Sequence, residues 1–137
     1  MSINTKIQEI RNLFEMLDDP MDKYTQIIEL GKKNKGLTLK DKNNETRISG
    51  CASQAWVKTI KKGNLYSIQI DSDTFIVKGL LNILQYIIHS AKKEEIFKLN
   101  TGTILLNIGL DKSITSQRTN GFLSALQKIK SQINNYE

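Results

Sequence analysis

Apolar residues at three- and four-residue spacing open the chain: Ile3, Ile7, Ile10, Phe14 and Leu17 mark one face of a helix over residues 3–17. Asp18-Asp19-Pro20 ends that helix and starts a second. Asp19 suits the cap, Pro20 the first turn, and Met21, Tyr24, Ile27, Ile28 and Leu30 the inner face, up to Gly31 or the following Lys-Asn-Lys-Gly tract. Residues 36–45 are polar apart from Leu37 and Leu39, which predicts a long loop tacked to the body by those two side chains.

The period then drops to two. Thr46 and Ile48 predict a short strand, and after a small, polar turn Ala55, Val57 and Thr59 alternate with Trp56, Lys58 and Ile60. Gly63-Asn64 is a two-residue hairpin signal, and residues 65–70 give a third strand with Tyr66, Ile68 and Ile70 on one face. Asp71-Ser72-Asp73 offers capping oxygens to a helix whose broad stripe runs through Phe75, Ile76, Gly79, Leu80, Ile83, Leu84, Ile87 and Ile88. That breadth predicts contact with the sheet and with other helices. Glu94-Glu95-Ile96-Phe97 reads as a short turn, Leu105, Leu106 and Ile108 as a short helix ending at Gly109, and Ser113 or Thr115 as the start of a last helix with Phe122, Leu126, Ile129 and Ile133 inward. The fold class is α+β: a small three-stranded antiparallel sheet packed against several helices, in the order helix, helix, three strands, helices, within a single domain over residues 1–137.

Composition narrows the function classes. With 39% apolar and 25% charged residues spread along 137 positions, the chain needs neither disulfide nor metal to build a core. No run approaches the length of a membrane span, and the mixed charges of the first helix do not read as a signal peptide, so no membrane role and a cytoplasmic location are expected. The net charge of +6 comes from scattered lysines such as Lys58, Lys61, Lys62, Lys92, Lys93, Lys128 and Lys130, without an aromatic RNA-binding signature or zinc-finger spacing. A solvated basic surface is the reading, with no nucleic acid as partner.

One cysteine excludes an internal disulfide and the usual multi-cysteine zinc or iron–sulfur cages. Cys51 stands in Gly50-Cys51-Ala52-Ser53-Gln54-Ala55-Trp56, where glycine permits the tight backbone of a turn and the neighbours are small. On local residues alone the thiol reads either as a small buried hydrophobe or as a reactive group.

Two later segments change the balance: Asp71-Ser72-Asp73 leading to Ile76-Val77-Lys78-Gly79-Leu80, and Ser116-Gln117-Arg118-Thr119-Asn120-Gly121. With the cysteine segment, and in this order, they resemble the SufE family of sulfur-acceptor proteins, which includes CsdE, over nearly the whole length. Ala52 and Ala55 stand where variable or branched residues are expected, and Gln117 separates a Ser-Arg pair that is commonly adjacent. The resemblance implies a SufE/IscU-like fold without the several cysteine ligands of the IscU scaffold. It implies that Cys51 accepts persulfide sulfur from a SufS-like cysteine desulfurase, stimulates that enzyme, and passes sulfur to a SufBCD-type scaffold. A CsdE-like relay toward another acceptor, such as a tRNA-modification pathway, is the alternative. The chain is then an accessory protein that binds no cofactor or metal, the pyridoxal phosphate belonging to the desulfurase. Monomer or weak homodimer is the expected state, and an organellar stroma is the expected location if a transit peptide has been removed.

In that chemistry the Cys51 thiolate attacks the terminal sulfur of the donor persulfide. An ordinary thiol, with pKa about 8.5, is only slightly ionised at neutral pH, so a nearby cation helps. Arg118 is the candidate, with a structural ion pair or a fork onto loop carbonyls as the equal alternative. Gly50, Ser53, Gln54, Asn120 and Gly121 are assigned to loop geometry, Asp73 to capping, and Trp56 to packing beneath the loop. His89 reads as a satisfied edge histidine; without it as base or a resolving cysteine, an independent thiol enzyme is disfavoured. A free carrier is expected to shelter its sulfur, turning Cys51 inward when alone and outward when docked, with Gly50 as a hinge.

Overall fold

The computed structural model describes residues 2–50, 53–100, 103–110 and 116–136, with the backbone alone at Ser116 and Gln117. In chain order these form α1 (Ile3–Glu15), α2 (Pro20–Lys33), a 3-10 turn (Leu39–Asp41), β1 (Ala55–Lys62), β2 (Leu65–Ser72), α3 (Phe75–Ile88), β3 (Ala91–Lys92), α4 (Lys93–Phe97), α5 (Ile104–Asn107) and α6 (Ser116–Tyr136). Asp19 caps α2 as its position predicts, its carboxylate accepting the Met21 N–H at 2.9 Å with Pro20 in the first turn. The expected caps of α6, Ser113 and Thr115, lie outside the described residues.

The sheet is antiparallel and three-stranded, in the order β1-β2-β3. Lys62 pairs with Leu65 across Gly63-Asn64, and Gly63 alone of the two takes a positive φ, 64°, the pattern of a two-residue hairpin turn with glycine first. The third strand is not the segment before Cys51. It is β3, which follows α3 and pairs Ala91 with Tyr66 and Lys92 with Leu65. Before the cysteine, Arg47 makes one isolated bridge to Trp56 of β1, flanked by Ile48 N–H donating to Ala55 O and Val57 N–H to Thr46 O, both at 2.8 Å. The ladder stops there because the Asn43 carboxamide accepts the N–H groups of Glu45 and Thr46, folding residues 43–46 into a turn.

Ala55, Val57 and Thr59 of β1 and Tyr66, Ile68 and Ile70 of β2 share the buried face of the sheet, against α3 and α6. Phe14 from α1, Ile27 from α2 and Phe122, Leu126, Ile129 and Ile133 from α6 complete the core. The sequence placed Met21 and Phe75 on inner faces, but they are 65% and 52% exposed. Each stands in the first turn of its helix, beyond the edge of the packed stripe. α2 and α3 meet backbone to backbone: a Cβ on Gly79 would lie 1.8 Å from the Ile27 carbonyl oxygen, and one on Gly31 2.2 Å from that of Phe75. Glycine at both places is what allows the approach.

The 36–45 loop covers the outer face of the sheet; of the two leucines expected to tack it, Leu37 is half-buried and Leu39 stays out, 86% exposed. The tie is Asp71, which is buried, accepts the Leu37 N–H at 2.9 Å, and pairs with Lys42 at 3.0 Å and Lys78 at 3.5 Å. The anchor is charged because Asp71 points out of the sheet opposite Trp56, away from the apolar face. The free edge of β1 is covered from α6. Gln132 accepts from the Thr59 N–H and hydroxyl and donates to the carbonyls of Val57 and Glu45, and the Tyr136 hydroxyl donates to Thr59 O.

Candidate functional site

Cys51 and Ala52 lie outside the described residues, and so does the expectation of an inward-turned thiol. What is described is how the chain arrives at and leaves that pair. On arrival, Ile48 is buried and hydrogen-bonded to β1, and Gly50 takes φ +81°, a conformation that L side chains rarely adopt. Gly50 also abuts the last helix, since a Cβ there would meet the Ser124 hydroxyl at 3.5 Å.

On departure, Gln54 and Asp73 are joined by two hydrogen bonds, one to the Asp73 side chain and one between backbones. The Gln54 N–H donates to the Asp73 carboxylate at 3.1 Å, and the Asp73 N–H donates to Gln54 O at 3.1 Å. Ser72 donates its hydroxyl to the same carbonyl at 2.8 Å, and Thr74 donates to the Ser53 hydroxyl at 3.2 Å. Asp73 therefore does not cap α3. The N-cap is Thr74, without a side-chain cap bond, because the Asp73 carboxylate is directed to Gln54 instead. The first two segments singled out in the sequence thus meet as one unit, in which the start of α3 holds the far side of the cysteine loop.

The third segment is described in its side chains from Arg118 onward. Arg118 is half-buried, with its guanidinium carbon 5.6 Å from the centroid of the Tyr24 ring on α2, a cation–π contact. Asn120 is exposed and Gly121 buried on the same helix. Among the described side chains of α6 it is Ser124 that stands beside Gly50, a residue that sequence reasoning missed because an isolated serine in a helix carries no signal of its own. Trp56 is half-buried on the outer face of β1, opposite Asp71, with the Lys42 ammonium 5.1 Å from its ring centroid. Its cover is thus the 36–45 loop. His89 is the C-cap of α3, with Nδ1 3.3 Å from the Ser67 hydroxyl. The Thr74–Ser53 contact is at the opposite end of that helix, about 22 Å along its axis at 1.5 Å per residue.

Asp71 sets the local electrostatics. Burial pushes its carboxyl pKa up, but the Leu37 N–H, the Lys42 ammonium, the Ser72 N–H and the Lys78 charge together hold it below the ordinary value. The site thus carries a fixed negative charge, already paired, at the base of the strand that leads to Asp73. Among the described residues no group of three or more His, Cys, Asp or Glu could hold a metal ion.

The model of the SufE family, an Fe-S metabolism associated domain, matches residues 8–133. The chain belongs to the SufE family. An uncharacterized SufE-like protein of Rhizobium meliloti is 34% identical over 132 residues, covering 93% of this chain and 94% of that one. A second uncharacterized SufE-like protein, from Rhizobium etli, is 35% identical over 128 residues, covering 90% and 86%. SufE-like protein 1, chloroplastic/mitochondrial, of Arabidopsis thaliana is 32% identical over 125 residues, which are 89% of this chain but 33% of that protein. The solution structure of a hypothetical protein from Thermus thermophilus superimposes with a TM-score of 0.77 at 17% identity, over 95% of this chain and 94% of that one, and so shares the fold. As a SufE protein the chain acts in iron–sulfur metabolism. No helix among the described residues is long and apolar enough to cross a membrane.

Proposed function

We propose that this SufE protein is a sulfur carrier: Cys51 accepts sulfur from the persulfide of a SufS-like, pyridoxal-phosphate-dependent cysteine desulfurase, stimulates that enzyme, and delivers the sulfur to a SufBCD-type assembly scaffold. The observation that carries the reading is the double tie of Gln54 to Asp73, with Gly50 against α6 on the other side, around the one cysteine of a SufE chain. Such a frame holds the chain on both sides of Cys51 and Ala52, on a surface loop of the kind that carries function.

In the transfer, the Cys51 thiolate attacks the outer sulfur of the donor persulfide. A new sulfur–sulfur bond forms at Cys51, the donor's sulfur–sulfur bond breaks, and the electron pair leaves on the donor thiolate, so no external oxidant or reductant is needed. The half-exposed Phe75 ring next to Thr74 offers the desulfurase an apolar contact beside the loop. Arg118, held over Tyr24, is assigned to positioning the start of α6 behind it. A thiol enzyme with His89 as base has no geometric support, since His89 stands at the far end of α3 from the described side of the loop.

Intact mass after incubation with a cysteine desulfurase and cysteine tests the reading. The wild-type chain gains sulfur and Cys51→Ser does not; absence of any added sulfur on the wild type with every desulfurase tried sinks it.

A further inference from the structure

A second site, independent of the cysteine chemistry, is built around Asn34. Its side-chain oxygen accepts the Gly36 N–H at 2.9 Å. Because a backbone N–H can only donate, this bond fixes which end of the carboxamide is oxygen. The Asn34 amino group must then donate, and it does so twice, to Asn82 Oδ1 at 2.8 Å and to Gln85 Oε1 at 2.7 Å. Those two acceptors are one α-helical turn apart on α3, which orients both amides the same way. Their amino groups, Asn82 Nδ2 and Gln85 Nε2, have no hydrogen-bond partner among the described residues.

Both residues line a cleft of about 320 Å³ beside the β2 edge, together with Lys33, Asn34 and Lys35. No Asp or Glu lines it. The orientation is held from behind: Gly36, at φ +73°, lies against the Asp71 carboxylate, so closely that a Cβ would sit 2.4 Å from its oxygen. The cleft therefore offers oriented amide donors whose own acceptors are already used, and two lysines, Lys33 and Lys35, are among the residues that line it.

We infer that this cleft binds a compact oxyanion, the phosphate or carboxylate group of a small molecule. A group with several acceptor oxygens and a negative charge accepts from both amino groups and offsets the lysine charges at once; water supplies acceptors without the charge, and a cation supplies neither. The pair Asn82→Asp and Gln85→Glu keeps an acceptor for each Asn34 hydrogen bond while replacing the donors with negative charge, so it tests the site without dismantling the network.

The experiment follows the side-chain amide resonances of Asn82 and Gln85 in the full-length, isotopically labelled protein as sodium phosphate or sodium acetate is added at constant ionic strength, with chloride as the control. The expected result is a saturable shift of both amides with one of the two oxyanions or with both, and none with chloride. Saturation by phosphate alone assigns a phosphorylated ligand, and saturation by acetate alone a carboxylate. In the double variant, followed through the backbone amides of residues 33–36, affinity falls at least tenfold while the melting temperature stays within a few degrees. Absence of saturable shifts in the wild type, equal shifts with chloride, or undiminished affinity in a folded double variant overturns the inference. None of these readings uses a desulfurase, so they stand apart from the test of sulfur transfer.

Discussion

Gly79 belongs to the Ile76-Val77-Lys78-Gly79-Leu80 run, and its role is purely spatial: Ile27's carbonyl oxygen occupies the place where a side chain would begin. Alanine is the better helix former by about 1 kcal/mol, but here the obstacle is backbone and cannot rotate away. Gly79→Ala is expected to lower stability by about 2–3 kcal/mol net, read from the midpoint of urea unfolding; a neutral or stabilised variant would show that the two helices are not in backbone contact. Asp73 makes a smaller, local prediction. Asp73→Ala removes the acceptor of the Gln54 N–H but leaves the reverse bond from residue 73 to Gln54 O. Exchange of the Gln54 amide should accelerate about tenfold with little change in global melting. Unchanged exchange would mean that the carboxylate does not hold this side of the loop.

Among the elements, the 36–45 loop depends on a single buried carboxylate, and this gives it a pH dependence. The folded-state pKa of Asp71 is depressed, so its contribution is fully present above the unfolded carboxyl value near 3.8 and is lost as pH falls through the lower folded value. Asp71→Asn should cost about 3 kcal/mol at neutral pH, and the gap in melting temperature between variant and wild type should close as pH falls below about 4. A gap that stays constant to pH 2 would show that the charge of Asp71 is not what holds the loop. The elements themselves were largely legible in the sequence: the periods of α1, α2, α3 and α6 and the Gly63-Asn64 turn are local signals, and they produced those helices and the hairpin where expected. Three features were not. β3 has two residues, too few to show a period, and exists because Ala91 and Lys92 arrive beside β2 after α3. Asp71 and Asp73 look like capping residues in one dimension and become a loop anchor and a cysteine-loop anchor only when residues 37, 42 and 54 are brought to them. Ser124 gains its place from packing alone.

At the scale of the molecule, the described ties of the cysteine loop and His89 occupy opposite ends of α3. His89→Ala is accordingly expected to leave sulfur acceptance by Cys51 within about twofold of wild type, because a group about 22 Å away along a helix transfers no proton to the loop. A large loss of transfer in a fully folded His89→Ala chain would bring the histidine back into the chemistry. The arrangement of α6 over β1 has another consequence, one that belongs to synthesis. Gln132 covers the Thr59 backbone from 73 residues further along the chain. At about 5–20 residues per second, a ribosome finishes β1 several seconds before that cover is made. During the interval the nascent hairpin presents an unpaired strand edge, the kind of surface that recruits a strand from another chain. Gln132 therefore acts as a late seal on the nascent protein, and conditions that stall translation between β1 and α6 are those under which this chain is most exposed to aggregation.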